Sequence, residues 1–452
     1  MLIIRRRLIF WLIKEYVKRM GKRILLYFAV GLLIFFLLKS FFEHVFPKYK
    51  STNTEVIGMV GAYTIDNLPS DIINKISKGL TTIRKDGVAE ASLAKSWRIE
   101  ENGKKYIFYL KENAYFSDKE NLTSDLINYG FSDVEVERPG KYTIIFKLKN
   151  AYSPFLVSVS KPIFKKGFVG VGDYRAKKLK LNGSFIESID LVSLDKNKRL
   201  VYQFYPTFTA LKTAFVLGDV TKILGLPDVE FKNTTFYEFK NARVKKDVNY
   251  RQLVTLFYNT RDENLSSKTL REALSYTIFD TFDQGERSFG PYAPFSFVAQ
   301  KGLNVYSQDL DHAKLLLEKF RTEAPNANLA FVIDSLPQYR MVAENTAKAW
   351  NKLGIETKVN EVGKPPSKFQ IFLGEFFLSL DPDQYVLWHS DHSNNIAGYK
   401  NLRIDKLLED GRQTFDIEER KKIYFDFQKY LLADAPASFL FFPYTYEVSR
   451  NN

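Results

Sequence analysis

Four histidines are the only imidazoles in the 452 residues. Two of them, His389 and His392, stand three apart in Trp388-His389-Ser390-Asp391-His392. At that spacing in a helix or turn, two imidazoles can share a metal ion. The same stretch also reads as a polar loop at the edge of a cleft, and no metal or cofactor is expected. His44 borders an apolar N-terminal segment and His312 falls on a helix surface. The chain has no cysteine, which excludes disulfides, thiolate catalysis, cysteine metal sites and a cysteine-linked lipid anchor. It has no GxSxG, no phosphate-binding GxxxxGK[ST] and no HExxH, so nothing couples a nucleophile to a base. The chemistry to look for is binding, not turnover.

The elements that position such residues begin with a charge asymmetry. Net charge is +14. The first 50 residues hold eleven Lys or Arg against Glu15 and Glu43, which is +9 of that total. The basic excess therefore marks a membrane boundary and gives no reason to expect nucleic acid. Residues 1–23 mix apolar residues with Lys14, Lys18, Arg19 and Lys22, as in an amphipathic cytoplasmic helix. Ile24–Leu38 is uncharged, and the apolar run continues past Lys39 to Phe46. As a helix, residues 24–46 span ~34 Å, enough to cross the hydrocarbon core. No small-residue cleavage site follows, so the span is expected to remain as an anchor, with the N-terminus cytoplasmic and everything beyond it outside. Residues 47–54 form a polar linker.

Beyond it, strands and helices alternate, which predicts an α/β protein. The opening stretch, Leu68–Leu110, carries a helix from Ser70 on Ile72, Ile73, Ile76 and Leu80, then a short strand Leu80–Ile83. Asn102-Gly103 then signals a hairpin returning through Lys105–Leu110. Further on, a strand at Leu329–Ile333, a helix at Ala343–Leu353 closed by Gly354 and a strand at Ile355–Val359 form a parallel βαβ unit. Phe369–Gly374 is another buried strand. Glu418–Leu432 is a long helix, and Phe439–Phe442 beyond it is a strand by the family resemblance given next.

The order of these pieces resembles the bacterial extracellular solute-binding proteins of family 5, the oligopeptide-, dipeptide- and nickel-binding class. The matching positions are Gly79-Leu80, Gly87, Leu93-Ala94, Ser96-Trp97, Asn102-Gly103-Lys104, Tyr106, Phe108, Leu110 and Ala114–Asp118. Later matches are Leu122–Asp125, the Gly-rich Gly167–Arg175, Gly218-Asp219-Val220, Leu270–Tyr276, Asp309–Phe320, Asp381-Pro382 and Asn394–Asp405. After Asp125 the chain reaches the next strand quickly, where the family makes a longer helical excursion. The resemblance implies a two-lobed, periplasmic-binding-protein-like α/β fold (type II, peptide-binding class). One lobe would comprise 55–250 and 430–452, the other 251–429, with hinges near Leu253–Asn259 and Phe427–Phe442.

The resemblance further implies a receptor that binds a peptide or other small solute between its lobes and presents it to the permease subunits of an ABC importer. A sensor or scaffold on the same fold that no longer transports is the alternative. In the family an Asp after the strand corresponding to Phe369–Gly374 pairs with the ligand's amine, because a buried ammonium needs an opposite charge. Aligned on Asp381-Pro382-Asp383, that position is Leu378, and Glu375 falls where a Trp often stands. Glu375, Asp381 or Asp383 is therefore expected to take the amine, or the ligand has none; Asp381 reads equally as a helix cap beside Pro382. Asp66 in the Thr64–Leu68 segment, Tyr174, Gly374, Phe376, Trp388, Asn395 and Tyr399 complete the expected binding set by position alone.

Overall fold

A computed structural model describes residues 2–45, 53–299, 302–303 and 306–451. Phe46 and residues 47–52 of the expected span and linker lie outside the described residues. The chain divides into two units, Met1–Thr54 with Asp195–Arg199, and Glu55–Leu194 with Leu200–Asn452.

In the first unit one helix, α1 (Leu2–Val45), runs through both the expected amphipathic segment and the expected span. No proline interrupts it, so the backbone has no reason to break at residue 23. Among the described residues, no helix is long and apolar enough to cross a membrane. Within the apolar part of α1 the side chains described without a gap are those of residues 26–36, and all are exposed.

β1 (Asn53–Val60) takes up the last two residues of the expected linker and enters the second unit at Glu55, and α2 (Ser70–Ile76) follows. Pro69 stands at the N-cap position with no side-chain cap bond, and Ser70 is the first helical residue. A small subdomain follows: β2 (Thr81–Ile83), β3 (Ala89–Ala91), β4 (Ala94–Glu100), β5 (Lys105–Leu110), β6 (Val134–Gly140), β7 (Thr143–Leu148) and α3 (Phe155–Ser158). The chain then returns through β8 (Tyr174–Asn182), β9 (Phe185–Ser193), β10 (Lys198–Tyr205), α4 (Phe208–Leu217), β11 (Lys222–Leu226), β12 (Glu230–Phe231), β13 (Thr234–Thr235) and β14 (Ala242–Val248). The C-terminal half holds β15 (Gln252–Tyr258), α5 (Lys268–Tyr276), β16 (Gly285–Arg287), α6 (Leu310–Glu323), β17 (Ala330–Ser335), α7 (Arg340–Lys352) and β18 (Glu356–Glu361). It continues with β19 (Ile371–Phe377), α8 (Tyr385–Trp388), α9 (Leu402–Gln413) and α10 (Ile417–Asp434), and β20 (Ala437–Arg450) closes it.

One sheet threads both halves in the order β18-β17-β19-β15-β20-β11-β1-β10-β9-β8, with β14 and β16 also on β20. The expected βαβ unit is present, β17 and β18 being parallel. β15 shows why such strands read as unbroken apolar runs. Val254, Leu256 and Tyr258 enter one core with α5 and α7, while Leu253 and Phe257 enter another with α9 and α10. The small subdomain folds its own four-stranded sheet, β4-β5-β7-β6, over an aromatic core of Tyr106, Phe108, Phe146 and Phe155.

The largest difference from expectation is β20. It is 14 residues long, far beyond Phe439–Phe442. Its first part pairs with β15 (Val254 with Phe441) and its second with β14 (Val248 with Tyr444) and β11. Pro443 stands at the handover between these partners, a place where a strand tolerates a missing N–H. The crossings between the two halves are therefore the β14–β15 junction at Asn249–Arg251 and the Pro443 region of β20. Both lie outside the Leu253–Asn259 stretch, of which Leu253–Tyr258 is buried in the C-terminal half.

Candidate functional site: carboxylates around the end of β19

The expected carboxylates cluster at the C-terminal end of β19 and in the loop to α8, but their environments differ. Asp381 is 5% exposed. Its carboxylate receives both terminal nitrogens of Arg420, at 2.8 and 3.1 Å, and the Asp383 N–H at 3.0 Å. This is a bidentate pair, the strongest common arrangement of these groups. Burial alone would pull the Arg420 guanidinium down; Asp381 outweighs it and holds the guanidinium above its ordinary value. Asp383 accepts from Arg412 Nε at 2.8 Å and caps Tyr385 N–H at 3.0 Å. Burial raises the Asp383 carboxyl above its usual range in spite of Arg412.

Glu375 is the exception. Its carboxylate accepts from Gln252 Nε2 and from the Tyr339 hydroxyl. Both donors are neutral, and among the described residues Glu375 makes no ion pair. Burial first, then the adjacent carboxylate, push the Tyr339 phenol well above its ordinary value, so it stays a donor. The β-sheet register explains the trio: Val254 faces Glu375 across β15–β19 and Gln252 faces Phe377, while Tyr339 lies in the 3-10 turn Pro337–Tyr339 after β17.

The remaining expected residues fall in three places. Gly374 and Phe376 flank Glu375 on β19. A Cβ at Gly374 would meet the Phe372 ring at 2.4 Å, and Phe376 packs against Phe257, 6.0 Å between centroids. Trp388, Asn395 and Tyr399 point into the C-terminal half with their polar atoms satisfied there. Trp388 Nε1 donates to Gln384 at 2.9 Å, the Asn395 amide staples His389 and Tyr399 carbonyls at 3.2 and 2.7 Å, and the Tyr399 hydroxyl meets Asp434 at 2.6 Å. Tyr174 opens β8 and Asp66 lies exposed in the turn after β1, both in the N-terminal half. Gly170 and Gly172, just before Tyr174, lie against Ile76 and Ser77, where a Cβ would come within 2.3–2.5 Å of backbone or Cβ atoms.

Leu378, in the place of the family's amine-binding Asp, is buried, and its N–H donates to the Arg251 carbonyl at 2.8 Å. Leu378, Asp381 and Arg251 line a cavity of only about 40 Å3, room for a water or two and no more. His389 Nδ1 accepts from Asp391 N–H at 3.3 Å and His392 Nδ1 from Asn394 N–H at 3.2 Å. Among the described residues no group of three or more His, Cys, Asp or Glu side chains is placed to hold a metal.

Arg420 and Arg412 were not visible as site residues in sequence. Arg420 sits in a charged run, Glu418-Glu419-Arg420-Lys421-Lys422, that reads as a solvated helix face. The available signal was its phase: Arg420, Tyr424, Phe427 and Leu431 share the buried stripe of α10. Gln252 and Tyr339 carry no such mark.

A family model of bacterial extracellular solute-binding proteins, family 5 (middle region), matches residues 126–398. The chain belongs to this family. The oligopeptide-binding protein AppA of Bacillus subtilis is 24% identical over 475 aligned positions, covering 86% of each chain. The probable D,D-dipeptide-binding periplasmic protein DdpA of Escherichia coli is 23% identical, covering 84% of this chain and 85% of its own. Among solved structures, AppA of B. subtilis in complex with a nonapeptide superposes with a TM-score of 0.66 at 21% identity, over 88% of this chain and 95% of its own. The substrate-binding protein CtaP of Listeria monocytogenes gives 0.73 at 19% identity, over 88% and 94%. The periplasmic-binding-protein-like α/β fold is thereby established, and this family-5 chain is a solute-binding protein. Both curated relatives are named for binding and neither for catalysis.

Proposed function

We propose that this protein is the extracytoplasmic receptor of an ATP-driven importer, that it binds peptides between its N- and C-terminal halves, and that Glu375 takes the ligand's amine. The observation that carries the reading is the contrast among the three carboxylates. Asp381 and Asp383 are each neutralised by an arginine. Glu375 meets two neutral donors and no arginine or lysine among the described residues. A half-buried carboxylate held open by hydrogen bonds is a site for a cation from outside the fold. The expected lobes are 55–250 with 430–452, and 251–429; residues 431–442 pack in the C-terminal cores, which moves the second boundary to Pro443, and closure turns on the two crossings at Asn249–Arg251 and Pro443. Closure over a ligand would then produce the form a permease recognises.

The tether is residues 24–46. It is supported by the unbroken helical backbone of α1 and by the exposure of Leu26, Phe28, Leu33 and Phe35, apolar side chains that water disfavours. Fractionation would place an anchored chain in the membrane pellet after alkaline extraction, with its body open to external protease; a chain found in the soluble fraction overturns the tether.

Ligand binding is tested by native mass spectrometry of the purified full-length protein released from detergent. A co-purified peptide series is expected, and Glu375→Gln is expected to weaken it on the order of tenfold. Retention of the same peptides by Glu375→Gln refutes the amine assignment. The small cavity beside Leu378 favours a second reading, a sensor or scaffold that no longer transports. An empty wild-type protein with no thermal shift across a mixed peptide library is its signature.

A further inference from the structure

A short length of chain joins the tether to the body it holds. From Val45, the last residue of α1, to Glu55, the first of the second unit, is ten residue steps. Fully extended, that backbone reaches ~35 Å. A compact unit of about 390 residues is ~55 Å across. The connection is thus shorter than the body is wide, and the edge of the body around Glu55 stays nearest the bilayer.

Four segments meet at that edge. The Thr221 N–H donates to the Val56 carbonyl at 2.8 Å, and its hydroxyl accepts from the Val56 N–H at 3.0 Å. The Arg450 N–H donates to the Thr221 carbonyl at 3.0 Å, and the Arg450 guanidinium to the Phe215 carbonyl at 2.6 Å. The Asn451 N–H donates to the Asn241 carbonyl at 2.9 Å. The start of β1, the end of α4, the end of β20 and the start of β14 therefore lie together.

What this edge turns outward is apolar at its tip and basic beside it. α4 buries Leu211, Ala214 and Phe215, and then Val216 and Leu217 point away, 39% and 74% exposed. Gly218, with φ +96°, ends the helix at once, so no further turn covers them. Lys240 and Arg243, at the start of β14, are exposed, and neither makes an ion pair among the described residues. Lys222 is already engaged by Glu55 and Glu447, at 3.7 and 2.6 Å. Asp219 is the exposed acid of the α4–β11 turn. An apolar tip flanked by unpaired cations suits a lipid surface, the first at the acyl boundary and the second at anionic headgroups.

We propose that this edge, centred on Leu217, rests on the outer surface of the membrane, with Leu217 at the headgroup–acyl boundary and Lys240 and Arg243 against anionic headgroups. The inference rests on the tether reading and adds an orientation to it. The N-terminal half is held down on the lipid. The C-terminal half, joined to it through Asn249–Arg251 and β20, is the half left free to move when the two close.

The chain has no cysteine, so a single introduced thiol labels one place. The full-length protein carrying Leu217→Cys, labelled with the environment-sensitive dye NBD, is reconstituted in liposomes of phosphatidylcholine and phosphatidylglycerol. Met341→Cys, exposed in the C-terminal half, is the comparison. Flotation first reads whether the protein is anchored. A blue shift and loss of emission to a spin-labelled lipid are expected at 217 and not at 341. Lys240→Glu with Arg243→Glu should reduce that quenching, as should omitting phosphatidylglycerol. A Val216→Cys label should lose its shift when Leu217→Asp is added. Protein that floats while its 217 label escapes the lipid quencher overturns the docking and leaves the tether standing. A 217 label shielded from the lipid quencher and from aqueous iodide alike places another part of the chain over Leu217 and overturns it too. Protein that does not float removes the tether and the docking together.

Discussion

The C-terminal half and the small subdomain handle charge in opposite ways. In the C-terminal half arginines are drawn inside. Arg420 and Asp381 are both more than nine-tenths buried. Arg271, 5% exposed, donates to the carbonyls of Leu265, Ser266, Asp434 and Ala435 and so closes the end of α10 onto α5. In the small subdomain the ion pairs ride on the surface, as in Lys147 with Glu137 and Glu135 or Lys165 with Asp118 and Glu120, and the interior is aromatic. The difference teaches where rigidity resides. A buried pair is held by the cost of exposing either partner to an apolar surround alone, whereas a surface pair has water as a ready substitute.

Breaking the buried pair should therefore have the largest effect. Arg420→Ala leaves the Asp381 carboxylate buried and unpaired and should cost about 3–5 kcal/mol, read as a drop in the denaturant midpoint. The double variant Asp381→Leu with Arg420→Met should recover most of that loss. A single variant as stable as wild type would remove the contrast. The seam between the two regions comes next. Phe415, between α9 and α10, packs into the subdomain core against Gly103, whose φ is +86° and where a Cβ would sit 2.0 Å from the ring. Phe415→Ala should cost about 2 kcal/mol, below the range for a fully buried ring, and should raise amide exchange in β4 and β5 first.

Acid titration separates the regions by sign. The Asp383 carboxyl is raised by burial, so the folded protein holds its proton to higher pH than the unfolded chain. Its contribution to stability is greatest below the ordinary value of 3.8 and declines as pH rises through the raised one. Asp118 is lowered, chiefly by Lys165; its contribution is present above 3.8 and lost as pH falls through the lowered value. Asp383→Asn should thus gain stability relative to wild type as pH rises from 3.8, measured as the slope of the denaturant midpoint. The opposite slope would place Asp383 with the surface acids. The smallest effect is expected from Lys147→Ala, which should leave the midpoint within error.

Much of the fold was legible because local signals and tertiary structure agree. The family resemblance placed α5 and α6, the residue pattern placed α7 and α10, and Gly354 ends α7 as expected, with φ +74°. The Asn102-Gly103 signal marks the β4–β5 hairpin, although the turn takes a further residue, with Glu101 and Asn102 also at positive φ. What stayed hidden depends on distance along the chain. Pro443 looks like the end of a strand until β14 and β15 are in place to take opposite ends of β20. The site was legible at the level of one segment, 374–383, and not at the level of roles. Three carboxylates within nine residues look alike in sequence. Arg420 and Arg412, which neutralise two of them, lie 39 and 29 residues away, and no local rule couples those positions.

β20 has a consequence for how the molecule comes into being. The strand that completes the sheet in both halves is the one made after every partner it pairs with, nearly 200 residues beyond β14 and β15. Neither half can close its hydrogen-bond ladder while the chain is still emerging, and pairing over such separations is slow. The sheet that joins the two halves is therefore completed only once the whole chain has been made.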